Sequence, residues 1–202
     1  MTQPLVGNVN LPTAHKSSRE PLLALYAGSF DPITIGHEDL IRRILKFADR
    51  LVVAVANNVS KQPLFTAAER IGFIESVAGD DTRVEVLSFD GLLVDFARRI
   101  GARVNVRGLR AVTDFEYEFQ IALMNRHLYP ELETVFMTPS LDTTYISSSM
   151  VREVARFGGD VSRLVRPDVA LALGQRSAAL YGSASLTAGT GSSQALAAEE
   201  KR

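Results

Sequence analysis

The chain carries a histidine, His37, in a setting suited to phosphate chemistry. It ends the string YAGSFDPITIGH, in which Gly28 and Ser29 directly follow a short apolar run. A glycine lets the backbone approach a ligand closely, and Ser29 offers a hydroxyl group where the chain leaves a predicted strand. Gly36 and His37 are predicted to lie in the first turn of a helix, where free amides and the positive dipole end attract phosphate. The string therefore predicts a phosphate-binding loop with an imidazole that can donate a hydrogen bond to a phosphoryl oxygen.

This loop differs from two widespread phosphate-binding loops. The dinucleotide fingerprint needs G-x-G-x-x-G at the start of the helix, and the P-loop needs Gly-Lys followed by Ser or Thr. Residues 26–37 contain neither pattern. Hydride transfer and kinase chemistry are therefore disfavoured.

Three basic residues follow predicted strands. Lys61 follows the second strand, and Arg107 and Arg110 follow the fourth. A lysine offers a point charge, whereas an arginine offers a planar fork that suits phosphate. A lone cation is usually a solvated surface charge, but three at one edge of a sheet favour a ligand with several phosphate groups.

A run of three serines, Ser147–Ser149, stands at the start of another predicted helix. Ordinary N-capping explains one serine. Three hydroxyl groups beside the free amides of a helix start suit two linked phosphates. The run therefore predicts a second phosphate-binding helix start.

The acidic residues and the other histidines give weaker signals. Glu118 lies about one turn into a predicted helix, where it could accept hydrogen bonds from a ribose or lie on a solvated face. Asp114 and Glu116 are explained by the favourable position of acids in a first helical turn. His15 and His127 are interpreted as incidental, and no spacing of His, Asp and Glu resembles a dedicated metal site.

The elements that position these residues alternate along the chain. Strands are predicted at 22–27, 51–56, 83–87, 103–106 and 133–138. Residues 51–56 are apolar without alternation, as expected for a strand covered on both faces. The strands alternate with helical patterns, so we expect a Rossmann-like, doubly wound α/β fold. Its five-stranded parallel sheet has the predicted order 3-2-1-4-5, with C-terminal helices, and ligands bind at the carboxyl ends of such strands.

Local signals place the helices. Capping boxes at Thr66–Glu69 and Thr113–Glu116 predict two helix starts. Gly101 is predicted to end a third helix, and Pro167 suits the first turn of the last one. Two further helices are predicted around 40–48 and 150–157.

Composition sets the remaining bounds. The 202 residues carry a net charge of -1 and no cysteine, which gives no reason to expect nucleic acid or an anionic membrane and excludes disulfides and thiolate sites. Segments 1–20 and 182–202 are predicted to be mobile tails around one domain at 21–181. With no apolar run near the roughly 20 residues that span a bilayer, and no signal-peptide pattern, we expect a cytoplasmic protein.

Four strings together resemble the phosphopantetheine adenylyltransferases, within the nucleotidyltransferase superfamily that has the T/H-x-G-H signature. The strings are YAGSFDPITIGH, SKQPLFTAAER, RGLRAVTDFEYEFQIALMNRHL and YISSSMVREVARFGGDV. The resemblance covers about residues 22–175, and the second and third strings distinguish this family from general superfamily members. It implies transfer of AMP from ATP to 4'-phosphopantetheine, which gives dephospho-coenzyme A and pyrophosphate in coenzyme A biosynthesis. It also implies Mg2+ and a homohexamer.

The resemblance further assigns roles to matching residues. It implies that His37 stabilises the transition state, with Ser29, Lys61 and Arg110 as the other catalytic residues. The residues implied to hold the acceptor are Ser29, Lys61, Leu93 and Arg107. The residues implied to bind ATP are Ser29, Phe30, His37, Gly108, Leu109, Arg110, Glu118, Thr143, Thr144, Tyr145, Ile146, Ser147, Ser148 and Ser149. The family often has Thr where this chain has Ser29, but the hydroxyl group is kept.

The expected mechanism is direct in-line attack by the acceptor phosphate on the α-phosphorus of ATP, because no residue stands out as a covalent nucleophile. Two alternatives stay open. The same chemistry could serve another acceptor, such as nicotinate mononucleotide or glycerol phosphate, or the chain could be a catalytically silent nucleotide-binding module.

Overall fold

The computed structural model describes residues 20–57, 62–110 and 112–181, and within them five parallel strands form one sheet. Their order is β3-β2-β1-β4-β5, which confirms the predicted order. The strands are β1 (Leu23–Gly28), β2 (Arg50–Ala56), β3 (Val84–Phe89), β4 (Val104–Gly108) and β5 (Glu133–Met137). Lys61 and the two predicted tails, apart from residue 20, lie outside the described residues.

Helices connect the strands and follow the last one. They are α1 (Ile35–Ile44), α2 (Ala67–Ala78), α3 (Leu93–Ile100), α4 (Val112–Leu128), α5 (Ser148–Arg156) and α6 (Pro167–Tyr181). A one-turn 3-10 helix, Leu141–Thr143, precedes α5. In the described part of the chain, no helix is both long enough and apolar enough to cross a membrane.

Three of the four predicted helix signals are confirmed. Thr66 and Glu69 form a reciprocal capping box, Gly101 ends α3 in the left-handed region at φ 72°, and α6 begins at Pro167. The second capping box is wrong. A capping residue has a non-helical backbone, but α4 begins at Val112, so Thr113 is already inside the helix.

The core lies on both faces of the sheet, as the apolar pattern of β2 predicts. Val53 and Val55 pack with residues of α1, α2, α5 and α6, whereas Val52 and Ala54 pack on the other face with residues of α3. Because β1 lies between β2 and β4, the strand order reverses beside it. The loops after these three strands therefore meet at one edge, where ligands bind in such folds.

Candidate active site

A cavity of about 460 Å³ opens at the carboxyl ends of β1, β2 and β4. Its walls come from the loop after β1, the first turn of α1, the end of β4, the start of α4, and the segment that leads into α5. The predicted site residues that line it are Ser29, Phe30, His37, Arg107, Gly108, Arg110, Glu118, Thr143, Ile146, Ser147, Ser148 and Ser149. The structure thus brings the imidazole, two arginines and the serine run to one cavity.

Four other predicted residues do not line this cavity. Leu93 begins α3, Leu109 pairs through its amide with the Met137 carbonyl, and Thr144 and Tyr145 are exposed. Their assigned roles stay predictions, as do the roles of the residues that line the cavity.

The loop after β1 is held in an unusual backbone conformation. Phe30 has φ 46°, a left-handed value that costs a non-glycine residue on the order of 1–3 kcal/mol. Its ring is buried and makes edge contacts with Tyr26 and His37, both at 5.2 Å between ring centroids. A Cβ at Gly28 would lie 3.1 Å from that ring. The glycine therefore leaves room for a phenylalanine that packs beside the imidazole.

His37 is held as a neutral ring. Its Nδ1 accepts a hydrogen bond from the backbone amide of Thr34 at 3.0 Å. Burial, and then the charges of Arg110 and Arg107, lower the pKa of His37 to about 4. Because Nδ1 accepts a hydrogen bond and the ring is neutral above that pH, the single ring proton belongs on Nε2. The imidazole is thus ready to donate from Nε2.

Asp31 joins the loop after β1 to the loop before α2. Its carboxylate accepts hydrogen bonds from the amides of Leu64 and Phe65, both at 2.9 Å. Arg152 of α5 donates to the backbone carbonyl of Asp31 and lies 3.4 Å from its Oδ2. Three separate segments of the chain are therefore tied together beside the cavity.

Arg107 and Glu118 form a forked ion pair inside the cavity. The Nε–Oε2 distance is 2.8 Å and the Nη2–Oε1 distance is 2.5 Å, and Arg107 Nη1 also donates to the Ala27 carbonyl at 2.6 Å. Burial opposes the charge on Arg107, but the hydrogen bonds and charge of Glu118 outweigh it and raise the pKa of the guanidinium. The solvated helix face is therefore the wrong alternative for Glu118, whose side chain is only 15% exposed.

The three serines at the start of α5 have different partners. Ser147 caps the helix by accepting from the Met150 amide at 3.1 Å. Ser148 donates to the Pro32 carbonyl at 2.8 Å, and the Ser149 hydroxyl oxygen lies 3.3 Å from Nη2 of Arg152. Capping thus uses one serine, as predicted, and the other two link α5 to the loop after β1 and to a basic side chain.

Comparison with known proteins places this chain in a family. A family model described as Cytidylyltransferase-like matches residues 25–154. A phosphopantetheine adenylyltransferase of Aromatoleum aromaticum is 55% identical over 147 residues, which are 73% of this chain and 90% of that protein. The chain belongs to the phosphopantetheine adenylyltransferase family. Two other members agree: the proteins of that name from Paraburkholderia phytofirmans (52% identity, 83% and 98% covered) and Bordetella pertussis (54%, 73% and 88%).

A solved structure supports the fold. The structure of a putative nicotinate-nucleotide adenylyltransferase from Vibrio parahaemolyticus has a TM-score of 0.58 at 16% identity, with 76% of this chain and 99% of that chain covered. At this identity the likeness concerns the fold alone. Membership of the adenylyltransferase family rests on the sequence relatives.

Several residues that line the cavity escaped the sequence analysis. The cavity is also lined by Asp31, Arg70 and Arg152, which had no predicted role. All three lie within the strings that resemble the family, but the sequence does not show which group a charged residue in such a string binds. Arg70 alone gave a further signal, because it precedes Ile74 by four residues and so shares the buried face of α2.

The described carboxylates form no metal cage. No group of three or more His, Cys, Asp or Glu residues that could hold a metal occurs among the residues the structure describes. The two acidic residues that line the cavity, Asp31 and Glu118, are engaged by backbone amides and by arginines.

Proposed function

We propose that this chain transfers the AMP part of ATP to 4'-phosphopantetheine, giving dephospho-coenzyme A and pyrophosphate. The supporting observation is the single cavity that brings His37, Arg107, Arg110 and the serines of α5 together at the carboxyl edge of the sheet. The names of the three bacterial relatives support the acceptor. The chain is accordingly a nucleotidyltransferase of coenzyme A biosynthesis.

The reaction proceeds by in-line attack of the acceptor phosphate on the α-phosphorus of ATP. A phosphate oxygen is already a nucleophile, so the enzyme needs no strong base and works by positioning and charge stabilisation. His37 donates its Nε2 proton as a hydrogen bond to an α-phosphoryl oxygen, where negative charge develops. Because the ring is neutral at neutral pH, it donates this hydrogen bond and does not protonate the attacking phosphate.

Two helix starts frame the nucleotide. The first turn of α1 carries Gly36 and His37, and the first turn of α5 carries Ser148 and Ser149. Both bring the positive end of a helix dipole to the same cavity. The α5 start would hold the departing pyrophosphate, while the α1 start lies against the α-phosphate.

Mg2+ belongs to the proposal as a partner of the ATP phosphates. The described residues suit this arrangement, because they offer hydroxyl groups and cations rather than a carboxylate cage. Bound there, the ion would neutralise charge on the leaving pyrophosphate. The residues of this chain would orient the phosphates that carry it.

The acceptor would enter beside the ends of β1, β2 and β4. Arg107 and Ser29 line that part of the cavity, and Lys61 and Leu93 complete the set assigned by family resemblance. Arg110 lies within electrostatic range of both Tyr26 and His37. This proximity supports a role for its charge at the reacting phosphates.

A pyrophosphate-release assay tests the reaction and the acceptor together. The purified chain is supplied with ATP, Mg2+ and one acceptor at a time: 4'-phosphopantetheine, nicotinate mononucleotide or glycerol phosphate. We expect release with 4'-phosphopantetheine alone. Release with another acceptor would change the assignment, and ATP binding without release on any acceptor would favour a silent nucleotide-binding module.

We propose in addition a homo-oligomer, with the hexamer as the expected form, in the cytoplasm. The surface of α4 supports an oligomer, since Phe119, Leu123 and Met124 are 44%, 54% and 56% exposed. Apolar side chains grouped on one element are typical of a protein interface. Light scattering of the purified chain tests it, and a monomer at micromolar concentration would contradict it.

A further inference from the structure

Arg70 is a buried arginine that contacts three separate segments beside the cavity. Only 2% of the residue is exposed. Its Nη1 donates to the Ser29 carbonyl at 2.8 Å and to the Ala56 carbonyl at 3.2 Å. Its Nε lies 3.1 Å from the Phe65 carbonyl and 3.3 Å from the Thr66 carbonyl. One guanidinium therefore binds the loop after β1, the end of β2 and the start of α2.

The charge of Arg70 is balanced by peptide groups. Within 20–57, 62–110 and 112–181, no carboxylate forms an ion pair with it. The carboxylate of Asp31 instead binds the amide of Phe65, whose carbonyl accepts from Arg70. A buried charge is costly unless its hydrogen bonds are well placed, and the fork of an arginine can meet several carbonyls where an apolar side chain would meet none. The arrangement is thus suited to fixing backbone geometry.

The backbone fixed by these contacts includes the strained residue of the site. Arg70 binds the carbonyl that immediately precedes Phe30, and the carboxylate of Asp31 is held on the other side. Phe30 keeps its left-handed φ of 46° between these two anchors. Such a conformation persists only when its surroundings determine it. Release of one anchor would therefore move Ser29 and the ring that packs against His37.

We propose that Arg70 is a positioning residue for the transfer reaction, which holds Ser29 and the end of β2 in the geometry that the reacting phosphates need. This inference rests on the proposed function. Arg70 acts through the Ser29 backbone and through Phe30, and it does not itself have to touch a substrate. Its loss should therefore reduce the rate of the reaction more than the binding of either substrate.

The test is the variant Arg70→Lys, which keeps the charge and removes the fork. An ammonium group cannot reach both pairs of carbonyls at once. A misplacement of about 1 Å can cost on the order of 10²-fold in rate, so we expect kcat to fall by at least about 10-fold. KM for ATP and for 4'-phosphopantetheine should each stay within about threefold, because the binding groups themselves remain.

Arg176→Lys provides the matched control. Arg176 also contacts the start of α2, where it pairs with Glu69 at 2.5 Å and lies over the ring of Phe65 at 5.4 Å. The structure shows no hydrogen bond from it to Ser29 or Ala56 within the residues it describes. We expect this variant to keep the kcat of the unchanged chain.

A double-mutant cycle with Ser29→Ala separates positioning from simple stability. If Arg70 acts through Ser29, the two substitutions together should cost less in kcat than the product of their separate effects, since contacting residues couple. All variants are assayed below their own unfolding temperature, measured by circular dichroism. Purely multiplicative effects would overturn the proposal, as would Arg70→Lys with unchanged kcat and a lower melting temperature.

An assay of the unchanged chain distinguishes a failure of this inference from a failure of the proposed function. If the unchanged chain releases no pyrophosphate from ATP and 4'-phosphopantetheine, the proposed function fails. If the unchanged chain is active and Arg70→Lys matches it, only the role of Arg70 fails.

Discussion

Two arginines of the cavity are held in opposite ways. Arg107, at the end of β4, forms a forked pair with the Glu118 carboxylate and keeps 30% of its side chain exposed. Arg70, beneath the loop after β1, is almost fully buried and binds carbonyl groups from three segments. Arg107 is thus paired with a carboxylate, whereas Arg70 is bound to backbone carbonyl groups.

The difference shows how one residue type can serve two purposes at a phosphate site. An arginine paired with a carboxylate can exchange that partner for a substrate phosphate, because both anions fit the same fork. An arginine surrounded by carbonyls has no such partner to exchange. We therefore expect a substitution of Arg107 to change substrate binding, and a substitution of Arg70 to change the rate.

The largest effect is expected at His37, which lines the same cavity as Arg70 and Arg107. We expect His37→Ala to lower kcat by at least about 10²-fold, the order of effect seen when one preorganised hydrogen-bond donor is removed. Neither arginine can replace the Nε2 donor at the α-phosphoryl oxygen. Steady-state kinetics with saturating ATP and 4'-phosphopantetheine checks this, and a near-normal kcat would refute the role of His37.

His37→Asn serves as the matched variant. Its side-chain carbonyl can still accept the hydrogen bond from the Thr34 amide, so the start of α1 should stay capped. We expect a melting temperature close to that of the unchanged chain and a kcat between those of the unchanged chain and the alanine variant. This separates the lost donor from a loosened helix start.

The next largest effect concerns the acceptor. Arg107→Ala should raise KM for 4'-phosphopantetheine by about 10-fold or more, since a hydrogen bond to a charged group contributes roughly 1.5–3 kcal/mol. KM for ATP should change little. An effect confined to ATP would contradict the assignment of Arg107 to the acceptor.

A smaller effect is expected from the partner carboxylate. Glu118→Gln keeps the shape of the pair and removes its charge, so it should lower the unfolding free energy by about 1–2 kcal/mol. The control is Glu69→Gln, which weakens the more exposed pair with Arg176 and should cost about 1 kcal/mol or less. Urea unfolding compares the two, and an equal loss would show that the cavity pair is only a surface ion pair.

The smallest effect is expected from pH near neutrality. With a pKa of about 4, His37 stays neutral from pH 6 to 8, so its titration should change kcat/KM by less than about twofold there.

The same pKa affects stability at lower pH. The pKa of His37 in the folded chain lies below the unfolded value of roughly 6.5, so the unfolded state binds more protons between the two values. The stability contributed by the neutral ring is therefore fully present above the unfolded pKa and is lost as the pH falls towards 4.

Acid unfolding checks this sign. The unchanged chain should lose more unfolding free energy between pH 6.5 and 4 than His37→Asn does. A kcat/KM profile with an apparent pKa near 6.5 that disappears in the asparagine variant would instead show that the imidazole titrates freely.

Local patterns predicted the sheet and most helix ends because short-range physics decides them. The unbroken apolar run in β2 predicted a strand buried on both faces, and Gly101 predicted the end of α3. The start of α4 was misplaced because Thr113 satisfies a capping pattern inside the helix as well as before it. A pattern of four residues cannot fix a boundary that the neighbouring backbone decides.

The site was predictable in its components and not in its pairings. Loops after adjacent parallel strands must meet, so His37, Arg107 and the serines of α5 could be expected at one edge. The pairing of Arg107 with Glu118 depends on how the first turns of α4 return over β4. The contacts of Arg70 with Ser29 join residues 41 positions apart, and no local pattern marks a carbonyl as a partner.

Gly108 leaves room on β4 for a leucine of the helix that carries the imidazole. A Cβ at this position would lie 2.6 Å from Cδ1 of Leu40, which is buried in α1 three residues after His37. An alanine at this position would therefore force the end of the Leu40 side chain to shift away from β4, and Leu40 also lines the cavity. The absence of a single methyl group on the neighbouring strand thus preserves the leucine packing under this part of the cavity wall.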